Sequence, residues 1–312
     1  MKNRIYREMD NHTQKSDCVH SSIMNTGFWR LLSVFMIYIL FTTFAAQTAF
    51  SVTKTWTPTT GGDWATASNW SPSGLPSAGD DVVIGSQSAP ITAVPALSLN
   101  SLTINGNCTL QSGSAIALTV GGFSGTDFTI AGGANLTLGS TVSITLTNNA
   151  TATIDGTLTV NSGSTFNTDG TSVVTTVNGS IVNYGLVTCA TSNKLLFQGG
   201  STYQHAVDGG YIPISTWATT SNLLISGYAT TTGNPPNYQT IFAQPFGNVT
   251  WNCPGHTGSI SLGSKLADIR GNVSVVSTGT GSFSFGISGI GNVTINGNYT
   301  QAGGYAYCSG YA

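Results

Sequence analysis

The stretch "TATIDGTLTVNSG", residues 151–163, decides the fold. Ile154, Leu158 and Val160 fall on one face of two short extended runs, and threonines occupy the other. Such alternation marks half-buried strands, because successive side chains of an extended chain point to opposite faces, and it leaves no helical period.

Outward from this stretch the pattern recurs. Ile or Val, any residue, then Gly occurs at 104, 130, 154, 177, 225, 269 and 295, with successive spacings of 26, 24, 23, 48, 44 and 26. The unit is therefore about two dozen residues, sometimes doubled. A second string, Gly-Asn-Val-hydroxyl, appears in "FGNVTWN" at 246, "RGNVSVV" at 270 and "IGNVTIN" at 290. Coils of this length, built of short strands and Gly or Asn turns, are the units of a parallel β-helix in which each coil pairs with those above and below. The expected fold is all-β, a right-handed parallel β-helix with Ile104, Ile130, Ile154 and Val177 pointing inward. A solenoid also needs its first coil covered, since an open sheet end is unpaired and apolar. Residues 52–100 are expected to form that N-terminal cap and first rung, with Trp56, Trp64 and Trp70 supplying bulk and Pro58, Pro72 and Pro76 declining ladder hydrogen bonds. Residues 101–312 are expected to form the rungs.

Composition agrees. Glycine makes up 39 of 312 residues, nearly twice the roughly 7% of ordinary proteins, and only 6% of residues are charged. Five of the nine basic residues precede the first long apolar run, so four basic and eight acidic side chains remain beyond residue 51. That balance offers no basic patch for phosphates and argues against nucleic acid as a partner. The apolar run itself, Leu31 to Phe44, follows Arg30 and is followed by small residues. It is short for a roughly 30 Å hydrocarbon core and reads as a secretory signal peptide over residues 1–51, with Val52 the first mature residue and no other membrane segment. The 27 residues before Phe28 make a long leading region, whereas a start at Met24 would give an ordinary one.

Cys108, Cys189, Cys253 and Cys308 lie in the exported part, far apart and without metal-knuckle spacing. Strand parity turns Cys108 and Cys253 inward, so buried thiols are expected in preference to bridges. No metal or cofactor is expected.

The string from "GGDWATASNWS" to "GDDVVI" (61–84), followed by "LTINGNCTL" (102–110), resembles the extracellular module named for its eight glycines. It is more closely similar to the N-terminal part of large secreted, repeat-rich surface proteins of the Bacteroidota. "GGSTYQHAVDGGYIPISTW" and "GNVTINGNYTQAGG" resemble other recurring pieces of those proteins. The resemblance implies β-helical architecture and export. Many such proteins end in a sorting module, whereas this chain stops at "YAYCSGYA", inside a rung, as a fragment would.

The expected function is a non-catalytic, adhesin-like or structural surface protein whose hydroxyl- and amide-rich coils contact extracellular polysaccharide or matrix. The alternative is a polysaccharide-degrading β-helix enzyme, a hydrolase or lyase. Hydrolysis needs paired carboxyls, one to protonate the glycosidic oxygen and one to activate water. Asp169 in "NTDG" is the candidate acid, but no second aspartate occurs before Asp208. Asp80 and Asp81 read as turn residues. A lyase needs cations against a uronate, and only Lys194, Lys265 and Arg270 are at hand. The stretch 197–217 departs from the Thr and Val alternation and gathers Tyr203, His205, Asp208, Tyr211 and Trp217 around two Gly-Gly pairs. Segments that interrupt a solenoid period tend to emerge as binding loops, so Tyr203, His205, Asp208 and Trp217 are the expected contact residues, with packing of Tyr203 and Trp217 over a wider rung as the competing expectation.

Overall fold

A computed structural model describes residues 51–312 except 123–124, 236, 267, 287–292 and 308–312. Residues 1–50 of the expected signal segment thus lie outside the described residues, and only its last residue, Ser51, is described. Among the described residues no helix is long and apolar enough to cross a membrane.

The chain winds into a parallel β-solenoid of about nine turns. One coil shows the plan: Thr151–Ile154 lies in a nine-stranded sheet, Thr157–Val160 in an eleven-stranded sheet and Thr165–Asn167 in a five-stranded sheet. Each strand pairs in parallel with its counterparts one coil earlier and one coil later. The alternation of 151–163 becomes an alternation of buried and half-exposed side chains, as the sequence requires.

Register turns this alternation into columns. In the nine-stranded sheet Ile84 sits against Ile104, Ile104 against Ile130, Ile130 against Ile154, and Ile154 against Val177. Phe197 and Trp217 continue the column. The four expected inward residues are all fully buried. The glycine of the recurring tripeptide marks a corner where consecutive coils touch: a Cβ at Gly179 would run into the Gly156 carbonyl oxygen, and one at Gly156 into that of Ala134.

Two repeat assignments need correcting. Ile225 belongs to the eleven-stranded sheet, where it pairs with His205 and Trp251, so the tripeptide at 225 is not a rung of the first column. Only 20 residues separate Val177 from Phe197 and Phe197 from Trp217, and those coils carry aromatics where the tripeptide expects Ile or Val. The Gly-Asn-Val copies at 246 and 270 do occupy one sheet, but Thr294–Ile295 of the third pairs with Asp268–Ile269 in a two-stranded sheet. The true successor is Asn298. Asn248 donates to the Asn222 Oδ1 (3.1 Å) and accepts from the Asn272 amide (2.9 Å), and Asn272 accepts from the Asn298 amide (2.8 Å). This asparagine column satisfies backbone donors at the entry of successive strands.

At the other end Trp70–Ser71 pairs antiparallel with Thr53–Trp56, which pairs in parallel with Asp81–Ile84. Trp70 stands edge-on to both Trp56 (4.9 Å) and Trp64 (4.6 Å), all three buried. Cys108, Cys189 and Cys253 are free and buried; Cys308 lies outside the described residues.

Candidate functional site

The surface loop expected over 197–217 corrects to three ladder strands, Leu195–Phe197, Thr202–His205 and Thr216–Trp217, each paired in parallel on both sides or on one. Tyr203, His205 and Trp217 are buried. The reason is register: Tyr203 stacks on Ile181 and His205 on Asn183, so the alternation of this segment continues the inward columns beneath it. Trp217 stacks on Phe197 at 4.3 Å and packs against Phe246 at 5.0 Å. Its Nε1 donates to Gln244 Oε1 (3.1 Å), which also accepts the Ser215 amide (2.8 Å), while Gln244 Nε2 donates to the carbonyls of Pro213 and Ile241. Gln244 is thus the buried clasp that fixes the tryptophan, and nothing in its own sequence neighbourhood announces it.

His205 Nε2 donates to the Gly209 carbonyl at 2.6 Å, which assigns its proton to that nitrogen. Burial holds its pKa below the ordinary imidazole value and outweighs that hydrogen bond. Nδ1 of His205 has no partner, nor do the Tyr228 hydroxyl, Trp251 Nε1 and His256 Nδ1 on following coils. Among the described residues no three His, Cys, Asp or Glu side chains are grouped to hold a metal.

Asp208 alone of the expected contact residues is exposed, and its carboxylate is engaged. Oδ1 accepts the amides of Ala229 (2.9 Å) and Thr231 (3.2 Å), and Oδ2 accepts the amide (2.9 Å) and hydroxyl (2.7 Å) of Thr230. Burial pushes its pKa up, but these bonds, led by that of Ala229, hold it well below the usual carboxylate range. The residue staples one coil to the turn of the next. Asp208→Ala is expected to lower the unfolding free energy by about 1 kcal/mol, the worth of hydrogen bonds that water partly replaces. Denaturant titration checks this, and an unchanged midpoint would dismiss the staple.

The other carboxylates follow the same rule. Asp63 accepts the Ala65 amide, Asp80 those of Val52 and Ser77, and Asp127 those of Gly122 and Thr151. Asp81 is bound by Ser51, Asn100 and Ser101, and Asp155 by Asn178. Asp169, the candidate acid, accepts the Ala190 amide at 2.6 Å, and Lys194 donates to its backbone carbonyl. Lys54 donates to the Pro72 carbonyl. Among the described residues two charged side chains hold no hydrogen bond or ion pair, Lys265 and Asp268.

Those two line one cleft of about 340 Å³, together with Arg270, Ala243, Gln244, Pro245 and Ser264. Asp268 and Arg270 flank the buried Ile269, so strand alternation sends both outward on the same face. Ile269 is tied in parallel to Phe246 and Ile295, which fixes the floor. Arg270 leans on the solenoid through a 3.4 Å contact from Nη1 to the Trp217 carbonyl. The strand Asn222–Ile225 is followed by its sheet partner only at Asn248, and the intervening excursion contains the short helix Tyr238–Ile241 that leads into the Ala243–Pro245 rim. A second cleft, about 310 Å³, is lined by neutral residues including Gln87, Asn107, Thr109, Asn135 and Thr137. No family model, curated protein or solved structure matches the chain.

Proposed function

We propose that the chain is a secreted or cell-surface, adhesin-like solenoid that binds extracellular polysaccharide or matrix without cleaving it. The observation that carries this reading is the commitment of its carboxylates: seven of the eight aspartates beyond residue 51 accept hydrogen bonds that hold turns or join coils. Acid catalysis of glycoside cleavage asks for two carboxyls facing one bond, and hydrogen-bonded turn staples are poorly placed to exchange protons. The outward strand positions instead carry threonine, serine and asparagine, as in the column Thr103, Thr129, Thr153 and Thr176. Rows of hydroxyls at a fixed coil spacing suit many weak hydrogen bonds along a polymer, and a stiff solenoid presents them without losing conformational entropy. The leading hydrophobic run of residues 31–44 supports export.

Incubation of the purified protein with a panel of immobilised neutral and acidic polysaccharides tests the reading. Retention without release of reducing or unsaturated sugar ends is expected. Release of either kind of end would replace the adhesin by an enzyme, and absence of retention on every polymer would remove the carbohydrate partner.

A further inference from the structure

We propose that the cleft lined by Gln244, Pro245, Ser264, Lys265, Asp268 and Arg270 is a subsite for a carboxylate-bearing sugar, a uronic acid residue of an acidic polysaccharide. The proposal rests on the carbohydrate-binding reading above and names the class of polymer.

Charge leads to it. Two of the four basic side chains beyond residue 51 stand on one cleft of a surface otherwise furnished with hydroxyls and amides. Among the described residues the Lys265 side chain has no hydrogen-bond or ion-pair partner, and Arg270 spends only one long contact, from one of its five N–H donors. Among the described residues neither cation holds an ion pair with a carboxylate. A ligand bringing one negative charge neutralises this excess: two cations and Asp268 leave the cleft at +1.

Chemistry narrows the ligand. A guanidinium matches the two oxygens of a carboxylate, with an ammonium able to add a third contact. Asp268, acceptor-only when ionised, suits sugar hydroxyls and disfavours a dianion such as a phosphate ester. A pocket of about 340 Å³ falls at the small end of ligand sites and accommodates about one sugar ring. The cleft is also pre-formed, because Gln244 holds one wall through four buried hydrogen bonds and Ile269 anchors the other. Little ordering remains to be done on binding.

Calorimetric titration of the full chain with oligogalacturonate, a neutral glucan oligomer and inorganic phosphate tests the site. Oligogalacturonate is expected to bind, with an affinity that falls as salt rises, and Lys265→Met and Arg270→Gln are each expected to weaken it roughly tenfold while glucan binding stays the same. Among the described residues the Lys265 side chain holds no hydrogen bond or ion pair, so a Lys265→Met variant with unchanged melting keeps the test clean. Equal uronate affinity in that variant and the parent protein would overturn the cleft. Glucan binding without uronate binding would also overturn it and leave the carbohydrate reading standing; binding of no saccharide at all sinks both. Phosphate binding as tightly as the uronate would reduce the site to a general anion seat and defeat the proposal.

Discussion

Ile154→Asp is expected to cost about 4 kcal/mol or more of unfolding free energy. Ile154 is fully buried, with Ile130 before it and Val177 after it in exact register. A carboxylate there would face aliphatic carbon on both sides with no donor within the column. The variant side chain would take up a proton to avoid the buried charge, so its pKa in the folded state rises above the unfolded value. A carboxyl shifted that way loses stability as pH rises, and the deficit should therefore be larger near pH 8 than near pH 4. Thr153→Asp is the control. Thr153 lies between Thr129 and Thr176 on the outer face, and the same charge there should change stability by about 0.5 kcal/mol. Equal melting of the two variants would show that 151–163 does not pack as described.

The contrast explains why the fold was legible and where legibility stopped. Alternation and spacing in residues 102–183 are nearly regular, because each side chain needs only its equivalents one coil away and these are the same few aliphatics. Beyond Val177 the inward column changes to Phe197 and Trp217, and the second column admits Asn183 and His205. Wider side chains and shorter coils break the visible tripeptide without breaking the register. For that reason a segment whose composition looked like a loop is in fact a continuation of the ladder. One signal was available: Tyr203 and His205 alternate with Thr202 and Gln204 just as Ile181 and Asn183 alternate with Ser180 and Val182. Parity outranked composition.

The cleft was legible in part. Lys265 and Arg270 stood out as scarce cations, but their convergence depends on the excursion between Asn222–Ile225 and Asn248–Asn252 and on outward placement beside Ile269. Both are tertiary facts that a local pattern cannot carry. The same holds for the aspartates. Each reads locally as a turn residue, and the sequence supports that reading, yet the partners of Asp127, Asp169 and Asp208 lie 21 to 24 residues on, one coil away. What looks like turn chemistry along the chain is coil-to-coil stapling in space.

Trp217→Ala provides the second large expected effect, a loss of about 3 to 5 kcal/mol, as for other buried large aromatics cut to a methyl group. The ring is sandwiched between Phe197 and Phe246 and meets Tyr203 edge-on, so its removal takes away three aromatic contacts and leaves a cavity between successive coils. It also strips Gln244 Oε1 of one of its two donors, although the Ser215 amide remains. Trp217→Phe keeps much of the stacking area and loses the same donor, so it should cost roughly 1 to 2 kcal/mol. Because a solenoid is stabilised chiefly by contacts between neighbouring coils, the damage should centre on the 197–246 coils, and hydrogen exchange should quicken there before it does in the strands around Ile130. The experiment also decides between the two roles the sequence allowed for this residue. A packing tryptophan loses stability and leaves saccharide affinity unchanged at temperatures where the variant is folded. A contact residue does the reverse, and affinity lost with melting preserved would return Trp217 to the binding surface. With the indole 1% exposed, the first outcome is expected.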